Sequence, residues 1–205
     1  MIKKIKMKMK NYEKIQIDAV SFEEENPFWN NGQKKSIDMF LIPISNTNSS
    51  VLDAACGDGS GLEHLYKKGY NNLYGVDLNQ DKIDRATLKV SNAYIKKCNI
   101  SHLPFDDNKF DIIWSSHTLE HSNEPFVVLS EFKRVCVDNG YILLIVPYPA
   151  DQHDIHCGSE DLKLNIDDSA ISCITNLQNN GFLVEEYLIL NIREPEIFIK
   201  IKNKK

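Results

Sequence analysis

Apolar residues recur along this chain in short runs that alternate with stretches where they return every third or fourth position. Runs of the first kind read as buried strands, and stretches of the second as amphipathic helices. Strands are predicted at 51–55, 73–78, 94–98, 110–115 and 140–147, the last apolar throughout as central parallel strands are. Helices fall between them at 60–68, stopped by Gly69; at 81–90, with Ile83, Ala86, Leu88 and Val90 assigned to one face; and at 124–137, with Pro125 in its first turn. Upstream, Ile37, Phe40 and Leu41 predict a helix over 33–42 that Pro43 ends, preceded by the turn-rich Asn26–Gly32 and followed by a loop at 45–50. Downstream, a helix over 167–180 ending at Gly181 leads to strands at 182–190 and 196–201. The connection between those two strands is too short for a crossover, so they must be antiparallel.

Strand and helix therefore alternate through the fifth strand and then close in a hairpin. This is the pattern of an α/β fold, a doubly wound and mostly parallel sheet with one reversed strand. At 205 residues, 42% hydrophobic and 26% charged, the chain is expected to make one domain with its own core. Net charge is −5, but residues 1–10 hold five lysines and 200–205 hold four, which leaves fifteen bases against twenty-nine acids in the body between them. An acidic body argues against a nucleic-acid partner, because phosphate binding needs a basic face. No apolar run approaches the length of a membrane span and residues 1–10 lack the apolar core of a secretory signal, so no membrane is expected and the location is read as cytoplasmic. Five scattered cysteines with no C-x-x-C pair fit free thiols in a reducing compartment.

The candidate chemistry lies where the first strand ends, in Val51-Leu-Asp-Ala-Ala-Cys-Gly-Asp-Gly-Ser-Gly61. Gly57, Gly59 and Gly61 can take positive φ and carry no Cβ, so the backbone can approach a ligand at the N-terminus of the next helix. Asp77 follows Gly57 by twenty residues, at the end of the second strand, where in a βαβ unit a carboxylate accepts both hydroxyls of a ribose. Loop and acid together point to a nucleotide-like partner. The spacing Gly57-x-Gly59-x-Gly61 is not G-x-G-x-x-G, and no Tyr-x-x-x-Lys pair follows, which speaks against a nicotinamide-dependent oxidoreductase.

With these residues set beside Asn99-Ile-Ser-His-Leu-Pro-Phe105 and Phe110-Asp-Ile-Ile-Trp-Ser-Ser-His-Thr-Leu-Glu-His121, the chain resembles the class I S-adenosylmethionine-dependent methyltransferases, close to the type 11 group. The resemblance covers about residues 45–148. It rests on Leu52 to Gly59 for the family's L-D-x-G-C-G-x-G loop, Gly75-Val-Asp77 for the ribose acid, and the 99–105 segment for its D-x-x-x-L-P-F. It implies a seven-stranded sheet whose last strand is antiparallel, and S-adenosyl-L-methionine as cofactor. It further implies that Asp53 and the amides of Cys56, Gly57 and Gly59 hold the methionine part, Asp77 the ribose, Leu78 the adenine face, Asn99 and Ile100 the adenine edge, and the backbone of Ser115 the amino-acid end. Two positions depart from the pattern. Ala55 replaces the first glycine of the loop, and Asn99 stands where the family commonly has Asp, although a carboxamide oxygen can still accept from the adenine amino group.

Methyl transfer to a hydroxyl needs a base, and four of the six histidines lie in two clusters after strands four and five: His117 with His121, and His153 with His156. His121, His153 and His156 are the candidate bases. The run His153-Asp-Ile-His-Cys157 matches no closed zinc spacing, and no metal is expected. Cys56 reads as a small packing residue. The expected acceptor is a small polar metabolite methylated on oxygen, a sugar or similar hydroxyl compound. Methylation on nitrogen or carbon, or a non-catalytic nucleoside-binding module, remain the alternatives. Residues 1–44 are expected to contribute to the acceptor side, with Phe28 and Trp29 and the loop 148–166 around it, and residues 45–205 to form the cofactor domain. The oligomeric state stays open between monomer and homodimer.

Overall fold

The computed structural model describes residues 27–147, 169–192 and 195–205. Among the described residues, seven strands form one sheet: β1 Val51–Ala54, β2 Leu73–Asp77, β3 Tyr94–Lys97, β4 Phe110–Ser116, β5 Cys136–Pro147, β6 Leu183–Asn191 and β7 Pro195–Lys202. Their order is β3-β2-β1-β4-β5-β7-β6. The first five run parallel, and β7 is antiparallel to both β5 and β6, so it is the one reversed strand. The predicted doubly wound sheet is the observed one.

Side chains alternate across the pleat, and the two faces of the sheet make two cores. Leu52, Ala54, Ile113, Ile142 and Leu144 point to the face covered by α4 (Pro125–Val135) and α5 (Ser169–Asn179), where Leu129, Phe132 and Leu177 are buried. Val51, Ile112, Trp114, Leu143 and Ile145 point to the other, covered by α2 (Ser60–Lys67), α3 (Gln80–Lys89) and the turn Ile37–Leu41 that follows α1 (Pro27–Ser36). Burial on both faces is why the central strands read as unbroken apolar runs. Among the described residues, no helix is long and apolar enough to cross a membrane.

Three local readings change. The segment expected to be turn-rich before residue 33 is helical from Pro27 onward. Proline suits the first turn of a helix, and the following π-helical turn Ile37–Leu41 buries Ile37, Phe40 and Leu41, which fastens the helix whatever the low propensity of Asn30, Asn31 and Gly32. Pro43 then sits in a short 3-10 turn, Ile42–Ile44. In α3, Ile83, Ala86 and Val90 are buried as assigned, but Leu88 is 85% exposed, because two residues beyond Ala86 the helix has turned away from the sheet. Finally, β5 begins at Cys136, directly after α4, and the crossing is held by Asn203, whose amide group donates to the carbonyls of Lys133, Cys136 and Val137.

Candidate active site

β1 and β4 lie side by side at the centre of the sheet while the chain leaves them in opposite directions, to β2 and to β5, so a crevice opens beyond their carboxyl ends. The glycine loop enters it. Ala55, Gly57 and Gly59 all have positive φ, at 71°, 55° and 81°. Gly61, by contrast, lies within α2. A Cβ on Gly59 would sit 2.8 Å from Ala86 Cβ, so this glycine lets α3 pack against the loop. A Cβ on Gly57 would meet nothing within 4 Å, which leaves open space above the loop for a ligand. Cys56 is buried beneath, against Gly75, and burial pushes its thiol pKa up, as a packing residue and not a nucleophile requires.

The loop's amides are largely engaged within the protein. Cys56 N donates to Val76 O, Gly57 N to the Asp77 carboxylate at 3.0 Å, and Gly59 N to Cys56 O. The loop therefore offers a ligand room more than donors. Asp77, 8% exposed at the end of β2, accepts on its second oxygen from Asn79 N at 2.9 Å. Both carboxylate oxygens are thus oriented by backbone, and each keeps a lone pair for a further donor. Asp58 is taken up by Ser60 and by Lys89 of α3; burial works against its charge, but these partners hold its carboxyl below the usual range.

Asp53 is the unusual group. It is 1% exposed, and its Oδ2 has no hydrogen-bond partner among the described residues. Burial, reinforced by the charges of Asp77 and Asp58, pushes its pKa up to about 7. An uncompensated buried carboxylate is costly, and a cationic ligand group would satisfy it. Ser115, 2% exposed in β4, likewise has an unpartnered buried hydroxyl.

From the loop the crevice continues as a cavity of about 480 Å³ over the ends of β2 and β3. Asp77, Leu78, Asn99 and Ile100 line one side, and Thr118 and His121 are on its wall as well. Leu78 is 63% exposed, an apolar surface presented to the cavity. The Asn99 Oδ1 accepts from Ser101 N at 3.0 Å and from Ser101 Oγ at 2.9 Å, so the oxygen expected to be available to an adenine amino group is engaged in a turn. His121 ends the 3-10 turn Leu119–His121, with its Nε2 at 3.8 Å from Glu120 Oε1.

The structure thus brings together Asp53, Cys56, Gly57, Gly59, Asp77, Leu78, Asn99, Ile100, Ser115 and His121 along the carboxyl edge of the sheet. His153 and His156, and the side chains of Phe28 and Trp29, lie outside the described residues. Two groups were not foreseen. Glu196, fully buried in β7, meets His117 Nε2 at 2.7 Å, and His117 is held at a positive φ of 51° just beyond β4. Arg134 and Glu131 on α4 clamp the segment after β3: Arg134 donates to the carbonyls of Leu103 and Phe105, and Leu103 N donates to Glu131. Only the separation of these partners in sequence hid them.

Sheet order, reversed seventh strand, glycine loop and second-strand acid are those of the Rossmann-like methyltransferase fold. Residues 52–144 match the family described as a methyltransferase domain. It is 29% identical over 138 residues to an uncharacterised methyltransferase of Schizosaccharomyces pombe, covering 57% of this chain and 49% of the other. It is 35% identical over 95 residues to the malonyl-[acyl-carrier protein] O-methyltransferase of Hamiltonella defensa, covering 46% and 36%. The chain thus spans half or less of the length of these curated relatives. Among solved structures, a SAM-dependent methyltransferase from Aquifex aeolicus superposes with a TM-score of 0.64 at 20% identity, covering 85% of this chain and 98% of that one.

Proposed function

We propose that this chain is an enzyme that binds S-adenosyl-L-methionine in the crevice and methylates a hydroxyl oxygen of a small polar metabolite, a sugar or similar compound. The observation that carries the cofactor reading is the Asp77 carboxylate, anchored by Gly57 N and Asn79 N between the open space over Gly57 and the cavity at Leu78. Its remaining lone pairs suit the two hydroxyls of a ribose. The buried, unpartnered Asp53 Oδ2 suits the ammonium of an amino acid, and the exposed Leu78 the face of a purine.

When bound, the cofactor supplies a methyl group on a positively charged sulfur. The chain's own task is then to hold donor and acceptor in line and to take a proton from the acceptor hydroxyl. His121, on the wall of the cavity, is one base in this reading, and His153 and His156 of the loop after β5 are the others. Residues 1–44, with Phe28 and Trp29, and the loop 148–166 complete the acceptor side. An oxygen acceptor is supported by the similarity to a malonyl-[acyl-carrier protein] O-methyltransferase. The acidic body supports an acceptor other than nucleic acid, and a cytoplasmic monomer or homodimer fits the composition.

The test is methyl transfer from labelled cofactor to a panel of sugars and other hydroxyl compounds, followed by single replacement of His121, His153 and His156 by alanine. Loss of the base should slow turnover by about a hundredfold or more in one variant while cofactor affinity holds. If an acceptor is found and no variant slows its turnover, the assignment of the base to these histidines is wrong.

A further inference from the structure

The three strands β1, β2 and β3 are neighbours in the sheet, and their carboxyl ends carry, in the same order, the glycine loop with Asp53, the acid Asp77, and Asn99. A nucleoside whose ribose is held at β2 therefore extends its base toward β3, across Leu78, and brings the base edge to Asn99 and Ile100, all of which line one cavity.

What Asn99 can offer there is decided by chemistry. A backbone N–H only donates, so the end of the carboxamide facing Ser101 N, at 3.0 Å, must be the oxygen, and the Ser101 hydroxyl lies 2.9 Å from the same atom. The single oxygen thus faces the Ser101 turn and accepts from its N–H, with the Ser101 hydroxyl, which also lies 3.0 Å from His102 Nδ1, beside it. The polar group left to Asn99 is its NH₂, which has two donors and no acceptor. A carboxylate at this position would differ: one oxygen would keep the turn and the other would face the cavity as an acceptor. The 6-amino group of adenine is itself a donor.

We propose that Asn99 turns a donor toward the purine 6-position, so that the site holds the nucleoside without reading its 6-amino group, and that this residue sets the base selectivity of the cofactor site. The inference rests on the cofactor reading above. It makes Asn99 a specificity-determining residue and predicts that adenine selectivity is gained by a single change to aspartate.

The experiment is titration calorimetry of the full chain with two compounds, S-adenosylhomocysteine and its analogue with hydrogen in place of the 6-amino group. Wild-type protein should bind the two within about threefold of each other, since donor facing donor yields no bond. Asn99→Asp, which preserves the acceptor for Ser101 N, should favour the amino compound by about tenfold or more through a charge-assisted hydrogen bond. Asn99→Ala should leave the two compounds within threefold, which separates base reading from mere loss of the turn. If wild type already favours the amino compound tenfold and Asn99→Asp leaves that ratio unchanged, the inference is overturned while the cofactor reading stands. If the folded wild-type protein binds neither compound, both are overturned.

Discussion

Asp53 carries a carboxyl group in a place that penalises its charge, and this ties the stability of the ligand-free protein to pH. Burial and the neighbouring acids raise its pKa from an ordinary 3.8 to about 7 in the folded state. Between those values the folded protein holds a proton that the unfolded chain has released, so this group's contribution to stability declines as pH rises from about 4 to about 7. Asp53→Asn removes the ionisable group. Thermal unfolding of the variant should therefore lose that decline, and its melting temperature at pH 7.5 should exceed that of wild type by at least about 3 °C. An unchanged pH slope would locate the effect elsewhere. The same residue was legible in the sequence as a strand-end acid before a glycine loop, but its want of a partner was not, because that depends on which groups other elements bring to its Oδ2. Asn99 shows the same limit. Its type and position were plain, while the engagement of its oxygen by Ser101 is a matter of local geometry.

At the scale of elements, the glycine loop is shaped by what packs on it. Gly59 holds a φ of 81° and leaves no room for a side chain, since a Cβ would lie 2.8 Å from Ala86 Cβ and 2.9 Å from Ala86 Cα. Gly59→Ala should cost about 2–4 kcal/mol, the left-handed strain adding to the overlap with α3. Urea unfolding measures it, and a loss under about 0.5 kcal/mol would mean that α3 moves aside without penalty. The strands and helices themselves were readable from periodicity, because strands buried on both faces are apolar in runs and helices buried on one are apolar in stripes. The exceptions have a common cause. α1 begins at Pro27 because the turn after it is buried by distant strands, Phe40 stacking on Phe198 at 3.9 Å, and no local pattern announces that contact. The clamp of Arg134 on the segment after β3 and the pairing of His117 with Glu196 are long-range in the same way.

Over the whole molecule, the order β3-β2-β1-β4-β5-β7-β6 sets the proposed nucleoside half of the crevice over β1 to β3 and leaves the other half toward β4 and β5. Every candidate cofactor residue comes from the carboxyl ends of four strands or the loops that follow them, while the proposed acceptor half draws on segments 1–44 and 148–166. The motifs of the nucleoside half are short and local, which is why they could be recognised in order along the sequence. The acceptor half has no such motif. In the proposed reading it draws on separate segments, so the methyl acceptor has to be found by assay.

Calorimetric titration of the purified protein with the product S-adenosylhomocysteine, with NADH as control, decides whether the crevice is a site for S-adenosylmethionine anchored by Asp77. The product should bind in the micromolar range and NADH not at all, and affinity should fall by about tenfold or more in Asp77→Ala, which loses both the proposed ribose acceptor and the anchor of Gly57. A folded protein that takes up no S-adenosylhomocysteine, or an Asp77→Ala variant that binds it as wild type does, would contradict that assignment.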